Sequence, residues 1–109
     1  MHKQLCALKG LLRLVAGLEE EIMERYGLTL TEALTLCSVG GGCSSTGDLA
    51  AEVALSPSRL SRVLGKLERK GLVERRRRAE DHRNWETEPS PSGRLLLEDM
   101  RATGVTVPG

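Results

Sequence analysis

Residues 55–75 read LSPSRLSRVLGKLERKGLVER, and this stretch decides the fold. Ser56 is a residue type whose hydroxyl caps helix N-termini, and Pro57 follows at the first helical position, where its missing N–H does no harm. Leu60, Val63, Leu64 and Leu67 then recur at steps of three and four, the spacing of one helical face. Gly71 is a natural stop. The spacing therefore predicts a helix over Pro57 to Lys70, followed by a strand-like run, Leu72-Val73-Glu74-Arg75. Opposite the leucines lie Ser58, Arg62, Gly65 and Arg69, flanked by Arg59 and Lys66, with the acid Glu68 toward one edge. A merely solvated helix face mixes its charges more freely than this one.

Upstream, Ser44-Ser45-Thr46 offers cap hydroxyls and Asp48 sits in the first turn, so a short helix is predicted over Gly47 to Val53. It presents Leu49, Ala50 and Val53, and a tight turn, Ala54-Leu55-Ser56, leads into the helix above. Two helices joined by such a turn follow the helix-turn-helix plan, whose second helix enters the DNA major groove. Small residues let the backbone approach closely, and arginines read guanine or grip phosphate.

Downstream, Arg76 to Asn84 is polar without periodicity and is predicted to be a loop. Trp85 and Thr87 alternate with Glu86 and Glu88, a second strand that Pro89 ends. The loop carries Arg76, Arg77, Arg78 and Arg83. A basic hairpin tip beside a recognition helix lies along or inside the minor groove, where arginine is favoured by the negative potential. Asp81, two residues before Arg83, is placed to fix that guanidinium by a bidentate pair. Ser90-Pro91 repeats the cap-plus-proline start, and a helix with Leu95, Leu96, Leu97 and Met100 follows. From Thr103 the chain is predicted to be a frayed tail.

At the other end, Lys3 to Tyr26 is predicted to be one long helix. Leu5, Leu8, Leu12, Val15, Ile22 and Tyr26 form one stripe, and Leu11, Leu14 and Leu18 widen it. A surface helix of a small monomer needs a single apolar face. The extra width suits a second chain, because 109 residues leave little material to surround a central helix. Gly27 ends it. Thr29 and Glu32 have capping-box spacing, and the next helix carries Ala33, Leu34, Leu36, Cys37 and Val39 before Gly40-Gly41-Gly42.

The totals set bounds on this reading. The length suits one domain. Phe is absent, and Trp85 and Tyr26 are the only aromatics, so the core is aliphatic. The net charge of +1 hides an asymmetry: Arg59 to Arg78 holds nine basic residues and two acids, a net +7. That is the footprint of a chain with a polyanionic partner. Three cysteines without paired spacing argue against a disulfide framework. Lys3, Lys9, Arg13 and a triple Glu interrupt the N-terminal leucines, so neither a signal peptide nor a membrane span is expected, and the cytoplasm is the default. No nucleophile–base pair, phosphate loop or metal-ligand cluster points to an enzyme, and no cofactor or metal is expected. His2 and Cys6 do share an i, i+4 spacing that could hold a metal with partners from a second subunit. Cys37, in an apolar run, is expected in the core, and Cys43, after three glycines, is expected to be more accessible.

Leu55 to Arg62, Leu67 to Arg75, Asp81-His82-Arg83 and Ser92-Gly93-Arg94 together resemble the MarR family of bacterial regulators, over about Gly27 to Leu97. The resemblance implies a mainly α winged helix-turn-helix with a small β wing, working as a homodimer on a pseudo-palindromic operator. It implies that Ser56, Ser58, Arg59, Ser61 and Arg62 meet the major groove, and that Arg83, supported by Asp81, is the wing-tip arginine of the minor groove. It implies repression relieved by a small-molecule effector, here unidentified, or by cysteine oxidation. Peroxide-sensing relatives carry their reactive cysteine in the region of Cys6, where Lys3 and Lys9 lie close; the other reading of Cys6 is a small apolar residue at a helix interface. The family usually continues into further C-terminal helix that builds the dimer. Here the chain ends soon after Met100, so dimerisation would rest on the helix 3–26.

The reading is thus a single winged-helix domain over 1–109, with a dimerisation helix at 3–26, a DNA-binding core at 44–90 and a C-terminal helix at 91–102. Base contacts fall to Ser58, Arg59 and Arg62, wing contacts to Arg77, Arg78 and Arg83, and phosphate contacts to Ser45, Lys66 and Arg76. The rivals are an interaction module that pairs with another regulator and a cysteine-based redox sensor built on Cys6.

Overall fold

The computed structural model describes residues 1–77 and 85–102. The chain divides into two compact units, Met1–Leu30 and Thr31–Gly109.

The first unit is essentially helix α1, His2–Tyr26. At 1.5 Å per residue it is about 38 Å long. Gly27 ends it in the left-handed conformation at φ 68°, its N–H donating to the Met23 carbonyl at 3.0 Å. Only a residue without a Cβ takes that conformation freely. Arg25 pairs with Glu21 one turn back at 3.4 Å. Ile22 and Leu28 are buried, but Leu5, Leu8, Leu11, Leu12 and Leu14 are exposed, Leu12 to 66% and Leu14 to 64%. The two stripes seen in the sequence are therefore real features of the helix surface.

The second unit holds α2 (Leu30–Gly40), α3 (Thr46–Glu52), α4 (Pro57–Arg69), β1 (Val73–Arg77), β2 (Trp85–Pro89) and α5 (Pro91–Ala102). Its core is aliphatic: Ala33, Leu36 and Val39 from α2, Leu49 and Ala50 from α3, Leu60, Leu64 and Leu67 from α4, Val73, and Leu97 and Met100 from α5. Burying each of the larger side chains contributes roughly 1.5–3 kcal/mol. The fold is mainly α with a small antiparallel hairpin, as the sequence implies.

Two expectations need correction. Arg76 and Arg77, predicted to open a loop, continue β1, paired with Glu86 and Trp85 of β2. Cross-strand pairing set by distant residues overrides a local pattern that carries only charge. Cys37 is exposed rather than in the core. Helix α2 buries the face carrying Glu32, Ala33, Thr35, Leu36 and Val39, and Cys37 falls off it. Beside the two-stranded hairpin, Ser45 forms an isolated bridge to Glu86, and the Thr87 N–H donates to the Ser44 carbonyl at 2.9 Å. The segment before α3 is thereby fixed to the wing.

Helix α4 ends in a Schellman turn. The Leu72 N–H donates to the Leu67 carbonyl at 3.0 Å and the Gly71 N–H to the Glu68 carbonyl at 2.9 Å, with Gly71 at φ 74°. The start of α5 sits on this turn. Ser90 donates its N–H to the Leu72 carbonyl at 3.0 Å and its hydroxyl to the Gly71 carbonyl, while its Oγ caps the Gly93 N–H at 3.0 Å. A Cβ at Gly93 would lie 2.1 Å from the Leu72 carbonyl oxygen, so only glycine fits.

Candidate nucleic-acid interface

The interface is built from the caps upward. Ser45 caps α3, its Oγ accepting from the Asp48 N–H at 3.2 Å. Ser56 caps α4, its Oγ accepting from the Arg59 N–H at 3.3 Å and lying 3.4 Å from the Ser58 hydroxyl. Pro57 is the first helical residue. Two helix N-termini capped by serine hydroxyls result, a favourable setting for phosphate oxygens. The turn between the helices passes through Ala54 at φ 56°, a left-handed conformation that costs a non-glycine residue about 1 kcal/mol.

Leu60, Leu64 and Leu67 are wholly buried, which orients α4. Ser58, Arg59, Ser61, Arg62, Lys66 and Arg69 are left exposed on its other side. Among the described residues, no ion pair engages Arg59, Arg62, Lys66 or Arg69. Among the described residues, four cations on one face therefore have no acid to neutralise them. The other basic groups nearby are spent differently. Lys70 turns to the buried carboxylate of Glu32, Nζ to Oε2 at 2.9 Å, which ties the end of α4 to α2. Arg75 Nε binds Glu68 Oε1, which joins α4 to the wing and masks the acid nearest the basic face. Arg76 lies 3.9 Å from Glu74, both well exposed, a pairing of little strength in water.

Ser61, Arg62, Gly65, Lys66, Arg69 and Arg75 line a shallow concavity of about 540 Å³. Arg69 and Arg75 were not among the site residues expected from sequence. Their signal was present: Arg69 lies two turns after Arg62 on the same face, and Arg75 shares the strand face of Val73. The structure thus brings Ser56, Ser58, Arg59, Ser61, Arg62 and Lys66 onto one helix, with Ser45 at the preceding helix start and Arg76 on β1. Arg77 closes β1 in the backbone. Arg78, Asp81 and Arg83 lie outside the described residues.

Cys6 lies on α1, Cys37 on α2 and Cys43 in the segment before α3. Partial burial pushes the Cys37 thiol pKa up, with Arg101 opposing in part. The Cys43 thiol is also raised, first by burial, then by its hydrogen bond to Glu52 and the charges of Glu52 and Asp48. Cys6 is exposed, its Sγ 3.8 Å from His2 Nε2. No helix among the described residues is long and apolar enough to cross a membrane.

Residues 26–84, more than half of the chain, match the family model of the MarR family. No curated protein matches the chain. Among solved structures, it is similar to a MarR family transcription regulator at TM-score 0.82 and 26% identity, covering 94% of this chain and 68% of that one. It is similar to overoxidized AbfR bound to DNA at TM-score 0.78 and 24% identity, covering 93% of this chain and 76% of the other. FabT of Streptococcus pneumoniae, in complex with DNA, has TM-score 0.78 at 19% identity, covering 94% of this chain and 72% of that one. A capped, four-cation helix beside a hairpin wing, within a stretch that carries the family's pattern, makes this chain a member of the MarR family, a winged-helix DNA-binding transcriptional regulator and not an enzyme.

Proposed function

We propose that the protein is a repressor that acts in the cytoplasm as a homodimer on a pseudo-palindromic operator. The observation that carries DNA reading is the α4 face, where Arg59, Arg62, Lys66 and Arg69 stand exposed, without acidic partners among the described residues, opposite fully buried leucines. In this reading Ser58, Arg59 and Arg62 meet base edges in the major groove, and Ser56 and Ser61 line the approach. Ser45, Lys66 and Arg76 hold phosphates. Arg77, Arg78 and Arg83 follow the minor groove, with Asp81 orienting Arg83. AbfR and FabT, of similar fold, have been solved with DNA.

Dimerisation rests on α1, whose exposed Leu5, Leu8, Leu11, Leu12 and Leu14 form an apolar surface that water covers poorly. A two-fold dimer presents two α4 helices, so the half-sites should be centred about 10–10.5 base pairs apart or a multiple of that. Selection of bound sequences from a random duplex pool, with light scattering on the same sample, tests both parts. An enriched inverted repeat bound by two chains is the expected result. A monomer that enriches nothing would favour a protein-interaction module instead.

A further inference from the structure

The first turn of α1 brings together two metal-seeking side chains that DNA binding does not use. His2 Nε2 and Cys6 Sγ stand 3.8 Å apart, both on exposed residues. A tetrahedral ion holding one imidazole nitrogen at about 2.0–2.1 Å and one thiolate at about 2.3 Å keeps those donors roughly 3.6 Å apart. The pair therefore stands close to the bite of a single ion, with the helix backbone unchanged. An i, i+4 spacing is also the one by which two ligands on a helix face meet one metal.

We propose that His2 and Cys6 form a two-point clamp for a thiophilic divalent cation of the zinc type. Imidazole and thiolate together select zinc over magnesium or calcium, which prefer oxygen. On binding, the Cys6 S–H bond breaks, its proton passes to solvent, and the sulfur lone pair forms the bond to the ion without any change of oxidation state. Among the described residues there is no group of three or more His, Cys, Asp or Glu that could hold a metal. The described residues thus supply half of a tetrahedral set, and water or the same pair from a second copy fills the rest. The position also gives the ion a structural effect. Helix α1 starts at Met1 with no side-chain cap and no acid in its first turn. An ion bridging residues 2 and 6 staples that turn, supplying a constraint that no side chain there provides.

The test uses the full chain carrying Cys37→Ser and Cys43→Ser, so that Cys6 is the sole thiol. Cobalt(II) is titrated as a spectroscopic substitute and then displaced with zinc(II). The expected result is a saturable thiolate-to-cobalt charge-transfer band that zinc abolishes, at one ion per chain or one per two chains. Either stoichiometry supports the clamp, the second assigning the remaining positions to another copy. Cys6→Ser should remove the band, and His2→Ala should weaken binding by an order of magnitude or more. No saturable band, or an affinity untouched by His2→Ala, would overturn the proposal. Circular dichroism of both variants without metal shows whether α1 is still folded, so loss of binding is not confused with loss of the helix.

Discussion

Helices α4 and α1 both leave much side-chain surface in solvent, and they leave opposite chemistry there. On α4 every leucine is wholly buried, and the exposed side carries arginines, a lysine and hydroxyls. On α1, five leucines between residues 5 and 14 lie exposed. Water satisfies the first surface and is poorly suited to the second. A cationic face is complete in an isolated chain and gains by meeting a polyanion, with the release of counterions. An apolar face gains only by being covered. The two helices should therefore respond in opposite ways to salt and to charge.

The largest expected effect separates them by salt alone. If a dimer makes ~6–10 phosphate contacts, DNA affinity falls roughly 10³–10⁵-fold between 50 and 200 mM salt. Self-association through the α1 leucines should hold or strengthen over the same range. Fluorescence anisotropy on duplex DNA and sedimentation without DNA make the comparison, and a common salt dependence would break it. Next in size is Leu8→Asp with Leu12→Asp. Each leucine covered by a second chain contributes roughly 1.5–3 kcal/mol, so self-association should weaken by about 3–6 kcal/mol for each chain that carries the pair. Both residues are exposed in the single chain, so its circular dichroism should barely change. An undiminished dimer would place the contact elsewhere.

Smaller changes sharpen the α4 side. Arg62→Ala should cost about 1–3 kcal/mol and relax selection at one base position, whereas Lys66→Ala should weaken all sequences alike and lower the salt slope by about 1. Equal loss across sequences for Arg62→Ala would reassign that arginine to phosphate. The smallest effect concerns the thiols. The pKa values of Cys37 and Cys43 are raised, so both hold their protons to higher pH than an ordinary thiol. The thiolate is the nucleophile, so alkylation of these two should be slow at neutral pH and climb only above the ordinary thiol value of about 8.5. Fast labelling at pH 7 by mass spectrometry would contradict the assignment of causes.

What the sequence made legible was local. Ser56-Pro57, the leucine spacing and Gly71 marked α4 within a residue, because caps and stops act through bonds to near neighbours. Ser90-Pro91 did the same for α5. What it hid was set by residues far apart in the chain. Nothing near Arg76 announces Glu86, which pairs with it in the sheet, and nothing near Ser45 announces the same Glu86 across its bridge. Glu32 is the third residue of α2, as its spacing from Thr29 suggests, but its burial and its pairing with Lys70 were not visible. Counting charge along Arg59 to Arg78 did not show that Lys70 and Arg75 are each tied to an acid. The basic helix was thus visible before the structure, but the bracing that holds it was not.

That bracing has a mechanical side. The Gly71 and Leu72 carbonyls both receive bonds from Ser90, while the N–H groups of the same two residues close the last turn of α4. Gly93 presses its bare backbone against one of those carbonyls. Two helices are therefore pinned at one joint, with the short Ser90 hydroxyl as the side chain in it. A twist applied along α5 should reach the turn that carries Lys66 and Arg69 with little play, which makes the C-terminal helix a handle on the basic face of α4.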